Sequence, residues 1–269
     1  MKNVLKTTAI LALALCACAS PSSAQTATSG SAKDHLAEIK ERGTLIVGLE
    51  GDWQPFSFED DNGIIVGYDT DVETEIANRI GVAAEIVPTA WEGLLAGLET
   101  GVFDMVVNGV DVTPDREETF TFSDPYAYDK TVLIVKEDNE EIKQFEDLKG
   151  KLTSNSIGST YMELGEKYGA EVRGVDTLAE TLELVKNGTV DATINANTSF
   201  QDYMNTVGGP FKVVDASDTV KYAIPMRKLS DGSNDAFVAA VNQALKDMRA
   251  DGTLKELSIK YFGEDLTNE

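Results

Sequence analysis

Residues 104–116, DMVVNGVDVTPDR, give the clearest indication of how this chain folds. The apolar run at 104–108 predicts a strand, and the loop after it leads into a helix. Thr113 is a typical N-cap, and Pro114 is a typical first residue of a helix. The segment therefore predicts a strand, a loop and the first turn of a helix, with Arg116 in that turn.

Arg116 occupies an unfavourable place for a cation, because the start of a helix carries the positive end of the helix dipole. Two interpretations follow from the residues. The planar guanidinium and the free N–H groups of the helix start can bind a carboxylate from outside the chain. Alternatively, Arg116 forms a structural salt bridge with Asp69 or Asp71.

The same alternation of strand and helix extends along most of the chain. Strands are predicted at 44–48, 85–87, 104–108, 148–154, 172–175, 190–195 and 222–227, a hairpin at 56–67, and helices at 70–79, 91–100, 161–168, 177–186 and 234–250. This order predicts mostly parallel sheets with helices on both faces. We expect two α/β lobes that bind at the carboxyl ends of their strands, joined near 127–130 and 217–221.

The first residues are typical of an export signal, with Lys2 and Lys6 ahead of a short apolar run. The sequence around Cys18 resembles a lipobox, in which Cys18 is lipidated and residues 19–35 form a flexible tether. Cleavage after Ala24, which would release a soluble protein, is the alternative. We expect an exported protein, either a cell-surface lipoprotein or a periplasmic one.

Composition excludes several kinds of site. The two cysteines, Cys16 and Cys18, both lie in the leader, so the rest of the chain offers neither a disulfide nor a thiolate metal site. The single histidine, His35, is expected to be solvated on the first helix, which argues against zinc and histidine catalysis. The formal net charge is −23, or −25 without Lys2 and Lys6, and it disfavours nucleic acid and anionic lipid. We expect no metal and no cofactor.

A set of short motifs, in order and well spaced, resembles one known family. They are GTLIVG (43–48), WQPF (53–56), GYDTD (67–71), TPDR (113–116), FSDPY (122–126), LKGK (148–151), NGTVDA (187–192), ADGTL (250–254) and KYFG (260–263). From Gly43 to Gly263 the chain is similar to the polar amino-acid-binding proteins of ABC importers, solute-binding protein family 3.

The resemblance implies a two-lobe, type II periplasmic-binding-protein fold with a cleft and two crossover strands. Expected boundaries are residues 1–18 for the signal, 19–35 for the tether, 36–127 and 222–269 for lobe 1, and 128–221 for the hinge and lobe 2. The implied function is hinge closure over one polar amino acid and its delivery to a membrane permease. We expect a monomer that reaches the membrane through its lipid anchor.

The resemblance also implies roles for individual residues. The arginine of the TPDR motif, Arg116, binds the α-carboxylate of the ligand, with Gly109 beside it. The second-lobe loop Gly158-Ser159-Thr160 donates to the same end. Trp53 and Trp91 stack on the ligand side chain, although Trp91 could instead belong to the lobe core.

One departure from the family concerns the α-ammonium. Many members hold it with an aspartate after a second-lobe strand, where this chain has Ala196. We expect Asp111 and Glu50 to supply that negative charge, since an unpaired buried ammonium is costly; the alternative is that Asp111 serves only as a local cap or ion pair. Asn108, Asn195 and Asn197 complete the candidate site.

The loop around residues 156–161 is most similar to the cystine-binding branch, and a basic amino acid is the other candidate ligand. Two further functions stay open. A cyclohexadienyl-dehydratase-like enzyme on this scaffold needs a general acid, for which Asp111 or Glu50 is available. A sensor domain would normally be followed by a transmembrane helix and an output domain, and no such segment follows Phe262.

Overall fold

The computed structural model describes residues 34–269, so Cys18, the signal and most of the predicted tether lie outside the described residues. The strands are β1 Thr44–Leu49, β2 Asp52–Trp53, β3 Ser57–Glu59, β4 Ile65–Val66, β5 Ala83–Pro88, β6 Met105–Val106, β7 Phe120–Phe122, β8 Ala127–Lys136, β9 Leu152–Asn155, β10 Glu171–Gly174, β11 Ala192–Ala196, β12 Phe211–Tyr222 and β13 Pro225–Arg227. The helices are α1 His35–Arg42, α2 Tyr68–Ile80, α3 Trp91–Thr100, α4 Pro114–Thr119, α5 Thr160–Lys167, α6 Leu178–Lys186, α7 Asn197–Thr206, α8 Asp235–Ala250 and α9 Thr253–Phe262, with a 3-10 turn at Phe145–Leu148.

Two five-stranded sheets organise this part of the chain. The first has the order β5-β1-β6-β13-β7, and the second has the order β10-β9-β11-β8-β12. The first sheet, with its helices, is called the first lobe below, and the second sheet, with α5 to α7, the second lobe. Strands β2, β3 and β4 form a small antiparallel hairpin sheet, as predicted for residues 56–67.

Both large sheets are mixed, so the expectation of mostly parallel sheets is wrong. Strand β1 is parallel to β5 and β6, and β9 is parallel to β10 and β11. The remaining pairs are antiparallel, because β8, β12 and β13 enter their sheets against the direction of the βαβ units. The strands that return between the lobes therefore break the parallel pattern.

Strands β8 and β12 connect the two lobes as one long antiparallel pair. Ala127 and Tyr222, which face each other, belong to the main apolar core of the first lobe. At the other end, Val132, Ile134 and Phe211 belong to a core of the second lobe. Each connection is thus a continuous strand that changes lobe along its length.

The helix ends follow the chemistry of their caps. Gly81 and Gly101 adopt the left-handed conformation, and each ends its helix with an N–H bond to the preceding turn, as predicted. One local prediction is wrong: His35 is buried rather than solvated. Its Nε2 lies 3.1 Å from the Asp104 carboxylate, and its ring meets the edge of Phe237. Among helices α1 to α9, none has the length and apolar composition needed to cross a bilayer.

Candidate functional site

A cavity lies between the two lobes, at the carboxyl ends of their parallel strands. It holds about 530 Å³ of space not filled by protein atoms. The loops after β1, β5 and β6 line it from the first lobe, and those after β9 and β10 and the end of β11 from the second. Loops converge at this edge of a parallel sheet, which makes it a usual place for a ligand. The lining residues are Glu50, Asp52, Trp53, Trp91, Asn108, Gly109, Asp111, Arg116, Ser156, Ser159, Thr160, Tyr161, Asp176, Thr177, Leu178 and Asn195.

Arg116 enters this cavity from helix α4. The predicted cap is confirmed: the Thr113 hydroxyl accepts the Arg116 N–H at 3.3 Å, and Pro114 is the first helical residue. The guanidinium donates to the Asp111 carbonyl oxygen at 3.2 Å and lies 5.3 Å from the centre of the Trp91 ring. No ion pair within residues 34–269 involves Arg116.

The alternative salt bridge of Arg116 is wrong, because both candidate carboxylates have other partners. Asp69 accepts the Tyr126 hydroxyl at 2.7 Å in the core of the first lobe. The Tyr126 oxygen in turn accepts the Gly109 N–H at 3.0 Å, so this N–H is directed into the core. Asp71 accepts from Lys260 and from the Tyr261 hydroxyl, each at 2.7 Å.

Asp111 connects the two lobes across the cavity. One of its carboxylate oxygens, Oδ2, accepts a hydrogen bond from the Thr160 hydroxyl at the start of α5. The other, Oδ1, is buried and has no hydrogen-bond partner among the described residues. Burial raises the pKa of Asp111, while the Thr160 hydrogen bond and the charge of Arg116 act in the opposite direction. A buried acceptor without a partner is costly, so this oxygen is suited to a donor that enters the cavity.

The two tryptophans form apolar walls of the cavity. Trp53 stacks on Phe56, with ring centres 4.2 Å apart, and covers Gly109. A Cβ at position 109 would lie 2.6 Å from the Trp53 ring, and its φ of +49° is already left-handed, so glycine suits this position. Trp91 is half-buried: it contacts the core around Leu94 and also lines the cavity below Arg116. The two interpretations of Trp91 are therefore compatible.

Glu50 and Asn108 hold each other through two hydrogen bonds. The Asn108 side chain donates to the Glu50 carboxylate at 2.7 Å, and the Glu50 N–H donates to the Asn108 amide oxygen at 2.8 Å. Burial raises the pKa of Glu50 to about 7, and the negative charges of Asp52 and Glu92 add to this effect. Burial therefore favours the protonated form of this carboxyl group, while the hydrogen bond from Asn108 acts in the opposite direction.

The second lobe supplies only part of the predicted donor loop. Ser159 caps α5: its hydroxyl accepts the Met162 N–H at 3.2 Å and donates to the Ser156 carbonyl at 2.7 Å. Thr160 follows it and reaches Asp111. Gly158 is exposed in the turn before the helix and does not line the cavity.

Asn195 and Asn197 have different places, although they are two residues apart. Asn195 is the last residue but one of strand β11, is buried and lines the cavity. Asn197 does not line it, because the chain turns into helix α7 after Ala196 and the alternation of the strand is lost. The structure therefore brings ten of the twelve predicted binding residues to one cavity and leaves Gly158 and Asn197 outside it.

Six further residues line the cavity and were not predicted as part of the site: Asp52, Ser156, Tyr161, Asp176, Thr177 and Leu178. Asp176 and Thr177 follow strand β10, at the same sheet edge as the other site loops. Applying the rule of strand carboxyl ends to β10 would have found them. Asp52 carries no comparable signal, because it lies in the two-residue strand β2.

No cluster of three or more histidine, cysteine, aspartate or glutamate side chains in residues 34–269 could hold a metal ion. The cavity instead combines one guanidinium, several carboxylates and two indole rings. Such a set can bind a small molecule that carries both a carboxylate and an ammonium group.

Comparisons with known proteins agree with this geometry. L-cystine-binding protein TcyA of Bacillus subtilis is 39% identical over 235 residues, which cover 87% of each chain. The crystal structure of an ancestral amino acid-binding protein, AncCDT-1, a precursor of cyclohexadienyl dehydratase, is 35% identical, with a TM-score of 0.77 over 85% of this chain and 99% of that one. The L-cystine solute receptor of Neisseria gonorrhoeae, in an unliganded open conformation, is 34% identical, with a TM-score of 0.59 over 87% and 99%.

The family model for bacterial extracellular solute-binding proteins, family 3, matches residues 45–264. The match spans both lobes and the two strands that join them, and it includes the cavity with Arg116. The chain therefore belongs to the bacterial extracellular solute-binding proteins of family 3.

Proposed function

We propose that this chain is an exported receptor that closes over one polar amino acid and delivers it to the permease of an ABC importer. Arg116 carries the proposal: its guanidinium lines a cavity between two lobes and is not used in any ion pair of the described residues. A planar guanidinium in such a place is suited to two parallel hydrogen bonds with a carboxylate. The Trp91 ring, whose centre lies 5.3 Å from the guanidinium of Arg116, helps to orient that group.

The two ends of the amino acid backbone have separate partners in this proposal. The α-carboxylate binds Arg116 and the start of α5 at Thr160. The α-ammonium binds Oδ1 of Asp111, which replaces the aspartate expected at Ala196. Burial of a zwitterion requires partners for both charges, and this pair of residues provides them.

The ligand side chain then lies between Trp53 and Trp91 and points toward Glu50. Both candidate ligands, cystine-like and basic amino acids, carry a second nitrogen there. The name of the relative TcyA supports the first, and the acidic lining supports the second. Asn195, from the second lobe, forms a polar part of the cavity wall for either ligand.

We propose that closure is a hinge motion of the β8–β12 pair. The lobe boundaries are those expected from the sequence, and the molecule acts as a monomer. The TM-score of 0.59 with the open receptor, against 0.77 with AncCDT-1 at a similar identity (34% and 35%), supports lobes that are closer together here than in that open form. Lipidation at Cys18 would keep the receptor next to its permease.

A thermal-shift panel of the twenty amino acids and cystine tests the function. A ligand at 100 times its dissociation constant adds about 2.7 kcal/mol to the free energy of unfolding. For a chain of this size that is a rise of roughly 5 to 10 °C in Tm. We expect a clear rise with one chemical class, and no rise with any of them would contradict the proposal.

Asp111→Asn tests the role of the ammonium partner. We expect the affinity for the amino acid to fall by at least about tenfold, because one buried charge-assisted hydrogen bond is lost. Asp115→Asn makes the same change of charge on the exposed face of α4 and serves as the control. Equal affinities of the two variants would show that Asp111 has only a local role.

An enzyme of the dehydratase type is the second candidate. The observation that favours it is the carboxyl group of Glu50, whose pKa of about 7 suits a general acid. For a receptor, we expect the bound amino acid to be recovered unchanged. We also expect no conversion of a cyclohexadienyl carboxylate over long incubation. Turnover that is lost in Glu50→Gln would favour the enzyme.

A further inference from the structure

Asp69 is a buried acid that the proposed ligand contacts do not use. It lies in the first turn of α2, is fully buried, and accepts the Tyr126 hydroxyl through Oδ1 at 2.7 Å. Its other oxygen, Oδ2, has no hydrogen-bond partner among the described residues. Burial of a carboxyl group costs free energy that the packing of an apolar core does not return.

A chain of two hydrogen bonds connects Asp69 to the cavity. The Tyr126 hydroxyl donates to Asp69, and the oxygen of the same hydroxyl accepts the Gly109 N–H at 3.0 Å. Tyr126 is fully buried, so water does not compete for either bond. An ionised Asp69 can only accept, and it therefore directs the Tyr126 proton to itself and leaves the oxygen to Gly109.

Gly109 is the turning point of a loop that carries two lining residues of the cavity. Asn108 precedes it and Asp111 follows it by two residues, and both line the cavity. The φ of +49° at Gly109 turns the chain between them. Backbone hydrogen bonds hold the loop on each side, at Val107 and Val112, whereas the Gly109 N–H is held by a side chain. The position of this turn therefore depends on that side chain.

A second buried acid lies beside Asp69. Glu73 is one helical turn further along the same face of α2, is fully buried, and has no partner for either carboxyl oxygen among the described residues. Burial raises the pKa of Glu73 well above its ordinary value, and the charge of Asp69 adds to this effect. Burial raises the pKa of Asp69 to about 7, whereas the Tyr126 hydrogen bond and the Gly109 N–H lower it. Asp69 is therefore the acid of this pair that ionises near neutral pH.

Tyr68, also on α2, is a further ionisable side chain beside Asp69. Its hydroxyl donates to the Tyr126 carbonyl oxygen at 3.0 Å. Burial and the charge of Asp69 raise the pKa of Tyr68 above its ordinary value, while Arg249 of α8 and Asp265 act on it with opposite signs. Tyr68 therefore stays neutral and serves as a donor, which leaves the titration to Asp69.

We propose that Asp69 is a positioning residue of the binding site: as a carboxylate it holds the turn at Gly109, through Tyr126, in the shape that a ligand requires. The assignment rests on the proposed function. When Asp69 takes up a proton, its own O–H competes with the Gly109 N–H for the Tyr126 oxygen. The affinity for the ligand therefore falls as the pH falls through the range in which Asp69 titrates.

NMR of the ligand-free protein tests the connection without any ligand. Glu50→Gln serves as the parent protein, because Glu50 titrates in the same range beside Asn108. In the parent, the Gly109 amide resonance should shift between about pH 5.5 and about pH 8.5, with a midpoint near pH 7. Adding Asp69→Asn should abolish this step, because the amide oxygen still accepts the Tyr126 hydroxyl but does not titrate.

Asp71→Asn is the matched control for this experiment. Asp71 lies two residues after Asp69 in the same helix, but it accepts from Lys260 and has no bond to the Gly109 chain. Its variant should keep the pH step of the parent. An equal step in the parent and in the Asp69→Asn protein overturns the proposal.

Calorimetric titration with L-arginine and L-cystine measures the consequence for binding. Between about pH 8.5 and about pH 5.5, the affinity of the wild type should fall about three- to tenfold more than that of Asp69→Asn. Each unit by which ligand binding lowers the pKa of Asp69 changes the affinity about tenfold. Other acids of the cavity titrate in both proteins and cancel in this comparison.

Tyr126→Phe breaks the chain in its middle and keeps the ring that stacks on Tyr68, with ring centres 5.8 Å apart. We expect it to bind at least about fivefold more weakly at pH 8.5 and to lose the part of the pH dependence due to Asp69. Tyr68→Phe removes a buried hydrogen bond of similar length outside the chain. It should lower Tm but keep the pH profile of the wild type, which separates positioning from stability.

The outcomes that contradict the two proposals are different. Equal pH profiles of affinity in the wild type and Asp69→Asn overturn the positioning role and leave the receptor function intact. Failure of every amino acid to bind the wild type overturns the receptor function, and with it a role of Asp69 in binding. The Gly109 resonance then still decides whether Asp69 holds the turn.

Discussion

Whether a residue of this site is available to a ligand depends on the contacts that its neighbours already make. Arg116 is available to a ligand because Asp69 and Asp71 are engaged elsewhere, by Tyr126 and by Lys260. Gly109 is required because the Trp53 ring lies against its α-carbon. The sequence names these residues, but only their partners decide whether each is free to act.

Replacement of Arg116 tests the anchor directly. Arg116→Gln should weaken amino-acid binding by about 100-fold or more, because a charged, two-bond contact is worth roughly 3 kcal/mol. Arg116→Lys should restore only part of this loss, since an ammonium cannot form the parallel pair of bonds. Calorimetric titration gives the affinities, and unchanged binding by Arg116→Gln would remove the basis of the proposed function.

Glu50 makes stability depend on pH in a defined direction. Its pKa is about 7 in the folded protein against 4.5 in an unfolded chain, so between these values the folded state binds more protons. The free energy of unfolding therefore falls as the pH rises through this window and levels off above it.

Glu50→Gln removes this dependence. From pH 4.5 to about pH 8, the stability of the wild type should decline by about 2 to 3 kcal/mol relative to that of the variant. Urea unfolding at the two pH values measures the difference. A constant difference between the two proteins would contradict the raised pKa.

The positions of the helices and strands depend on both the local sequence and tertiary contacts. Helices α2 and α3 lie close to the positions their periodicity predicts, and each ends at a glycine. Helix α7 was not predicted, because its start is rich in asparagine, threonine and serine. It begins where Asp129 of strand β8 accepts the backbone N–H and hydroxyl of Thr198, at 3.2 and 2.7 Å.

Helix α1 is held to the first sheet through one buried carboxylate. Asp104 accepts from the Ile46 N–H at 2.8 Å and from Arg42, and His35 lies 3.1 Å away. Asp104→Asn should lower the free energy of unfolding by about 2 to 4 kcal/mol, because buried donors and a charge lose their partner. Glu183→Gln, which breaks an exposed pair with Lys186, should have no measurable effect in the same denaturation experiment. Equal stability of Asp104→Asn and the wild type would show that Asp104 does not fix the helix.

The molecule as a whole is organised around contact between its lobes. Strands β8 and β12 are the continuous connections, and the hydrogen bond from Thr160 to Asp111 joins the lobes across the cavity. This bond can form only when the lobes are close. In the proposed hinge motion, it therefore belongs to the closed state rather than to the fold of either lobe.

Thr160→Val should shift the population toward open forms, because the valine keeps the shape but removes the donor. With ligand present, we expect faster dissociation and a larger radius of gyration by small-angle scattering than in the wild type. Thr160→Ser keeps the hydroxyl and should behave like the wild type. The prediction is wrong if the valine and serine variants have equal dissociation rates.

The sequence by itself determined the class of fold, most element positions, the cap that places Arg116, and ten of the twelve predicted residues that meet in one cavity. The element positions and the cap follow from local chemistry, because caps, glycines and apolar periodicity act within a few residues. The two-lobe fold and most of the site residues follow from the resemblance of the sequence motifs to the family. Tertiary structure alone decided that the sheets are mixed, that His35 is buried against Asp104, that Asn197 turns away, and that Asp69 is connected to Gly109 through Tyr126. Those features depend on groups far apart in the chain, whose burial and partners exist only once both lobes have formed.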